Sequence, residues 1–199
     1  MARTRSSEAH EKVLNATGEL IAELGVAEVS MDAVARLSGV SKATIYKHWA
    51  DKEALCLETA RRMIGVLPNF HSDNPREDVI HFLRHLTERR KAAAWGRIWP
   101  RIMSYSMNNP SFGRALKTYS IEPQRAQLKR ILKRAIDKRE LHSDLDTDVA
   151  LSLLVGPIMH CGFFKTKVPT NFIEQVVDAF WKVNAGGKGA RRQEPGAGR

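Results

Sequence analysis

Residues 30–52, SMDAVARLSGVSKATIYKHWADK, read as two short helices joined by a tight turn, a helix-turn-helix. Ser30 is a good N-cap, and Val29 before it sits at hydrophobic-staple spacing to Val34. Met31, Val34, Ala35 and Leu37 supply inward positions for the first helix, and Gly39 follows where the chain needs a left-handed residue. Ser41 caps the second helix, with Val40 and Ile45 repeating the staple, and Asp51 caps the next one. Ile45 and Trp49 share the face that packs inward, which leaves Lys42, Ala43, Tyr46 and Lys47 on an outward stripe.

That stripe has the chemistry a DNA major groove asks for. Lys42 and Lys47 reach phosphates or guanine acceptors, Ala43 allows close approach and touches a thymine methyl, and Tyr46 brings a ring and a hydroxyl. Thr44 and His48 lie beside it, suited to phosphate oxygens, and Lys52 is a further phosphate candidate. The first turns at Ser30 and Ser41 also offer free backbone N–H groups and a positive dipole end to an anion. Double-stranded DNA is the expected partner. The plain alternative is a helical hairpin in a bundle, which has no reason to expose Lys42, Tyr46, Lys47 and Lys52 together.

The run resembles the N-terminal domain of the tetracycline-repressor (TetR) family of bacterial transcription regulators, whose pattern is approximately T-x-x-x-I-A-x-x-A-G-V-S-x-x-T-L-Y-x-H/Y-F-x-x-K-E-x-L. Ser30 stands at its first position, Val34-Ala35 at I-A, Gly39-Val40-Ser41 at G-V-S, and Thr44-Ile45-Tyr46 at T-L-Y; His48-Trp49 and Lys52-Glu53-Ala54-Leu55 complete it. The resemblance implies backbone contacts from Ser30, Ser41, Thr44, Tyr46, His48 and Lys52, with Lys42, Ala43 and Tyr46 facing bases. Three positions depart from the pattern: Ser38 for Ala, Leu37 where a polar residue is usual, and Trp49 for Phe. All three read as packing changes.

The formal charge of +10 over 199 residues invites a nucleic-acid argument that its distribution weakens. Residues 1–66 hold nine Lys/Arg and nine Asp/Glu, so the excess lies outside the motif, and the total serves as a non-specific aid to association. Arg3 and Arg5, ahead of a helix expected from Ser7, suit a basic arm over residues 1–6; a disordered terminus is the equal alternative. No run of about 18 apolar residues is present and no secretory core follows the first residues, so a bacterial cytosolic protein, nucleoid-associated when bound and without a membrane partner, is expected. Cys56 and Cys161 lack metal spacing and read as reduced and packed.

Helices are expected over 7–24, 52–67, 76–92, 94–108, 111–139, 146–165 and 170–184, with Pro68 and the polar run 71–75 marking a domain boundary. The segment Val149 to Met159 is apolar nearly all round and must be covered on two sides, while the last helix carries the stripe Ile173, Val176, Val177 and Phe180. The resemblance implies that these two helices pair with their copies, making Val155, Met159, Ile173, Val176, Val177 and Phe180 the expected homodimer interface; an ordinary core helix and surface helix are the alternative. Trp95, Trp99 and Met103, with Phe82 and Tyr119, can line an apolar pocket, which the resemblance favours because family members hold an inducer in this domain; a simple core stripe explains them equally. Pro100 is expected to kink their helix. The basic run Arg125, Lys129, Arg130, Lys133, Arg134, Lys138 and Arg139 reads as a solvated face able to attract an acidic ligand.

No phosphate loop or nucleophile elbow is visible, so no enzyme and no cofactor are expected. His81 and His85 share a helical face without a carboxylate or Cys to complete a metal set. The reading is therefore all-α: a three-helix DNA-binding domain over 7–67, a helical ligand-binding and dimerisation domain over 68–184, about nine helices in total, and a disordered tail over 185–199. The expected function is a dimeric regulator, a repressor on a palindromic operator released by a small-molecule effector. The alternative is a ligand-binding or metal-sensing helical protein with a vestigial helix-turn-helix.

Overall fold

The structure, a computed structural model, describes residues 2–90, 93–164 and 169–186. The described residues are helical in this order: α1 (Ala2–Leu24), α2 (Met31–Ser38), α3 (Lys42–Tyr46), α4 (Lys52–Ile64), α5 (Pro75–Arg90), α6 (Ala93–Asn108), α7 (Pro110–Leu116), a π-helical turn (Lys117–Ile121), α8 (Glu122–Asp137), α9 (Thr147–Phe164) and α10 (Phe172–Asn184). α7, the π turn and α8 follow without a gap, so the helix expected over 111–139 is an unbroken helical run in three parts. Pro123 explains the middle part: it has no N–H for the Tyr119 carbonyl four residues back, and the ladder widens there. The Glu122 N–H bonds instead to the Lys117 carbonyl.

Two boundaries differ from the sequence reading by more than two residues. α1 begins at Ala2, because Ala2 to Arg5 contains no breaker and joins the helix expected to start at Ser7; residues 2–6 are its first turn rather than an arm. α4 stops at Ile64 because Gly65 takes φ +64° and turns the chain early.

By packing, the chain divides into two compact units. The first holds the residues up to Pro68 together with Thr87–Gln124; the second holds Asn69–Leu86 and the residues from Arg125 onward. The first unit therefore includes α6 and α7, which pack with α1 and α4. Its core runs from Leu14, Ile21, Val34, Ile45 and Leu55 through to Ile98, Ile102, Phe112 and Leu116. Gly113 of α7 lies so close to α6 that a β-carbon there would meet the Ser106 carbonyl oxygen at 2.7 Å.

In the second unit α5 is held by ion pairs as well as by Val79, Phe82 and Leu83. Asp78 is buried and accepts from the Arg134 guanidinium and, at 2.9 Å, from the Ser72 N–H. Arg76 pairs with Asp178 and Arg84 with Glu174, tying α5 to α10. Ala185 and Gly186, expected as the start of a free tail, close an antiparallel bridge with Leu141, and the Gly186 N–H reaches the Glu140 carbonyl at 2.9 Å. The rest of that tail, 187–199, lies outside the described residues.

α10 corrects the interface reading. Ile173, Val177 and Phe180 are buried within the single chain, so they are core, and Val177 has no exposed surface at all. The outward apolar positions of α10 are the exposed Ala179 and Val183 with the half-buried Phe172 and Val176, and of the expected interface residues on this helix Val176 alone lies on that side. On α9 the outward stripe runs through Val149, Leu153, Gly156 and Met159, with Leu153 56% exposed, while Val155 is half-buried and Leu154 and Ile158 face inward. α9 and α10 pack side by side.

Candidate nucleic-acid interface

Every cap read from the sequence forms. The Ser30 Oγ accepts from the Ala33 N–H at 3.2 Å, the Ser41 Oγ from the Thr44 N–H at 3.2 Å, and the Asp51 carboxylate from the Ala54 N–H at 2.8 Å. Between the first two, Gly39 takes φ +69° and its N–H closes on the Ala35 carbonyl at 3.1 Å, so α2 ends and α3 starts at a defined angle. Ile45 is fully buried and Trp49 nearly so. That orientation leaves Lys42, Ala43, Tyr46, Lys47 and His48 exposed, with Thr44 half-buried and sharing a 2.9 Å hydroxyl contact with Ser41. α3 is one residue shorter than the stripe: Lys47 is its C-cap and His48 lies in the following turn.

Two of the lysines are already engaged. The Lys42 Nζ lies 2.8 Å from the Asp32 carboxylate on the first turn of α2, and that hydrogen bond raises the ammonium pKa above its ordinary value. The half-buried Lys52 donates to the Ala27 carbonyl in the α1–α2 turn, which leaves two of its three N–H donors for other acceptors.

Behind α3 the domain is fastened through Glu58 of α4. It accepts from the Trp49 indole N–H at 2.7 Å and contacts the His10 Nε2 of α1 at 2.9 Å, while the His10 ring lies 4.7 Å from the Trp49 ring and 5.8 Å from that of His48. Trp49 at a position where the resemblance expects Phe is explained by this bond. Trp49→Phe should cost about 1.5 kcal/mol in urea denaturation, the lower end for a hydrogen bond to a charged group because Glu58 keeps access to water. An unchanged midpoint would remove Glu58 from the account of how α3 is held.

Of the five residues read as a pocket, Trp95, Trp99, Met103 and Tyr119 belong to the first unit and Phe82 to the second. Trp95 and Trp99 stack at 4.6 Å with an 18° interplanar angle, and Trp99 and Met103 pack on the core of the first unit. Tyr119 sits in the π turn and is 67% exposed, and Phe82 is buried in the second unit, edge-on to Phe70 at 5.7 Å. A cleft of about 260 Å³ opens in the second unit between Asn69, Phe70, His71 and the α8 residues Gln127, Arg130, Lys133 and Arg134. In the sequence, Pro68 and residues 71–75 read as a boundary and the basic run of α8 as a solvated face able to attract an acidic ligand. Several of the α8 cations are paired: Arg125 and Lys129 with Asp148, each at 2.8 Å, Lys133 with Asp137, and Arg134 with Asp78.

From the other end of α6, the Tyr105 hydroxyl donates to the Glu53 carboxylate at 2.8 Å, a bond that with burial pushes the phenol up to about 12. Burial likewise pushes the Cys56 thiol up to about 12, which fits a packed, unreactive cysteine. Among the described residues no three His, Cys, Asp or Glu side chains converge, and no helix is long and apolar enough to cross a membrane.

Residues 13–59 match the profile described as bacterial regulatory proteins, tetR family, and residues 71–180 match the tetracyclin repressor-like C-terminal domain. Among curated proteins the chain is 29% identical over 163 residues to the uncharacterized HTH-type transcriptional regulator YdeS of Bacillus subtilis, covering 79% of this chain and 80% of that protein. It is 27% identical over 164 residues to the HTH-type transcriptional regulator UidR of Escherichia coli, covering 77% and 79%. Among solved structures it matches the flavonoid-responsive regulator FrrA with a TM-score of 0.71 at 25% identity, covering 89% of this chain and 95% of that one. It matches the TetR family transcription regulator SCO0332 with a TM-score of 0.63 at 27% identity, covering 88% and 97%. The chain belongs to the TetR family and is a helix-turn-helix DNA-binding transcriptional regulator.

Proposed function

We propose that this protein represses transcription as a homodimer on a palindromic operator and is released by a small apolar or amphipathic effector that acts on α6. Residues 68–184 then serve as the sensing and pairing domain. The observation that carries the reading is the packing of α6 directly on α1 and α4, reinforced by the bond from Tyr105 to Glu53, one residue past Lys52. A shift of α6 that alters the Trp95 and Trp99 stack therefore bears on the helix that immediately follows the recognition segment. FrrA, responsive to flavonoids by its name, supports an aromatic effector class. On the DNA side, Lys42, Ala43 and Tyr46 face bases, while Ser30, Ser41, Thr44, Lys47, His48 and Lys52 hold phosphates.

The test uses mobility shifts with DNA flanking the coding sequence. Tyr46→Ala or Lys42→Ala should weaken binding by roughly 1–3 kcal/mol and relax the preference for particular bases. Normal binding by both would defeat the assignment of this face. A flavonoid panel read by tryptophan fluorescence addresses the effector: a ligand that releases the DNA must itself bind less tightly when the operator is saturating, by the same factor, typically 5–150-fold. Equal affinity with and without operator would return α6 to the core.

A further inference from the structure

The cleft in the second unit is lined by the cations Arg130, Lys133 and Arg134 and by no carboxylate. Two of the three charges are met from outside the lining. Arg134 pairs with Asp78 and also donates to the Phe70 and Ser72 carbonyls, and Lys133 pairs with Asp137 at 2.6 Å. Among the described residues Arg130 has no acidic partner, so one positive charge of the lining stands uncompensated. Its side chain is exposed, on the same side of α8 as the buried Gln127 three residues before it and Arg134 four residues after.

Phe70 supplies the aromatic wall. Its ring is half-buried, edge-on to Phe82 at 5.7 Å and 6.1 Å from the His85 ring, so these neighbours fix its orientation while the rest of it lines the cleft. The Arg134 bonds to the Phe70 and Ser72 carbonyls hold this wall onto α8 through the chain's own contacts. A wall held in advance spares a ligand the cost of ordering it.

An unpaired guanidinium near an aromatic ring matches a flat anion: the fork takes a carboxylate bidentately, and an apolar ring packs on the phenyl group. A volume of about 260 Å³, filled to the density of a protein interior, holds on the order of a dozen non-hydrogen atoms. One surplus positive charge calls for a single negative charge on the ligand.

We propose that this cleft is a binding site for a small aromatic monocarboxylate, its ring on Phe70 and its carboxylate on the Arg130 guanidinium. The site lies in the second unit and α6 in the first, and it does not depend on the effector reading of α6.

The experiment titrates the full-length protein at pH 7 with indole-3-acetate, and with indole-3-acetamide as its uncharged counterpart, by isothermal titration calorimetry. The carboxylate should bind at one site per chain with a Kd on the order of 0.1 mM, and the amide about tenfold more weakly. Arg130→Met keeps the apolar stem and should weaken the carboxylate about tenfold, the lower end for a hydrogen bond to a charged group, while leaving the amide unchanged. Lys133→Met should change carboxylate binding by less than about threefold, because Asp137 already holds that ammonium. Phe70→Leu should weaken the carboxylate about threefold by losing the ring. No carboxylate binding below about 5 mM would overturn the proposal. Equal affinity for acid and amide would do so as well, and so would an Arg130→Met protein that binds the acid normally, since each leaves the Arg130 charge without a role. Thermal unfolding checks that the variants fold, and Arg130→Gln provides a second uncharged side chain at this exposed position. An absent tryptophan response at α6 beside intact calorimetry would remove the effector reading of α6 alone.

Discussion

Leu153→Glu should turn the protein into a monomer and lower its affinity for a palindromic operator by about 10²- to 10⁴-fold, the range set by losing a tethered second binding event. Leu153 stands in the middle of the outward stripe of α9, flanked by Val149 and Gly156 and continued by Met159, and it is 56% exposed in the single chain. A run of apolar side chains left in water on one helix face marks an interaction surface. The neighbouring α10 carries outward apolar positions of its own, the exposed Ala179 and Val183 and the half-buried Val176. A glutamate at position 153 is solvated in the monomer but loses its water, without a partner, in a symmetric dimer where each copy meets the same patch. Folding is spared because the side chain adds nothing to the core. Val177→Glu makes the contrast: Val177 is fully buried, so that substitution should unfold the protomer rather than separate two copies. Sedimentation velocity and fluorescence anisotropy on the operator read both effects. A Leu153→Glu protein that stays dimeric and binds normally would place the interface elsewhere.

What was legible in the chain was mostly local. Ser30, Ser41 and Asp51 each announce a helix because an N-cap is decided by a side chain and a backbone three residues on, and Gly39 announces a turn because its φ is set there and nowhere else. The inward set Val34, Ile45 and Trp49 follows from those boundaries and helical spacing. The choice between two apolar stripes on α10 was not local. Residues 173, 177 and 180 and residues 172, 176, 179 and 183 both satisfy helical periodicity, and only the packing on α9, with the ion pairs to α5, settles which faces inward. Tyr119 falls in the π turn just before Pro123 and is 67% exposed, a placement that helical spacing alone does not show. The ties from Asp32 to Lys42 and from Glu58 to Trp49 and His10 join side chains that no periodicity relates. Each was visible as a charged residue beside the motif, without a sign of its partner.

The second unit should be most sensitive at Arg134. Burial by itself raises the Asp78 carboxyl pKa, but hydrogen bonds from Arg134 and from the Ser72 hydroxyl and N–H outweigh it and hold the group below the usual carboxylate range. A carboxylate of depressed pKa stabilises the fold at every pH above its unfolded value, near 4, and that contribution is lost as pH falls through the folded value. Arg134→Met removes the cation and leaves the Asp78 charge buried with the Ser72 contacts alone. It also removes the guanidinium bonds to the Phe70 and Ser72 carbonyls, at 3.3 and 2.9 Å, which hold the 69–74 segment onto α8. Breaking a buried pair by deleting one partner costs about 3–5 kcal/mol, and the 20% exposure of the Arg134 side chain puts this case near 3. The sign of the pH dependence then reverses in the variant. Without its cation the Asp78 pKa is raised by burial, so the deficit against wild type should be full at pH 7 and should narrow as pH falls toward 4 and the carboxyl takes up a proton. Asp78→Asn in the Arg134→Met background, which removes the unpaired charge while keeping an acceptor for the Ser72 N–H, should recover a large part of the loss at pH 7 and flatten the pH dependence. Urea denaturation followed by circular dichroism between pH 4 and pH 7 measures all three proteins. A deficit for Arg134→Met that stays constant over that range would mean that the loss comes from the loop carbonyls and not from the buried charge.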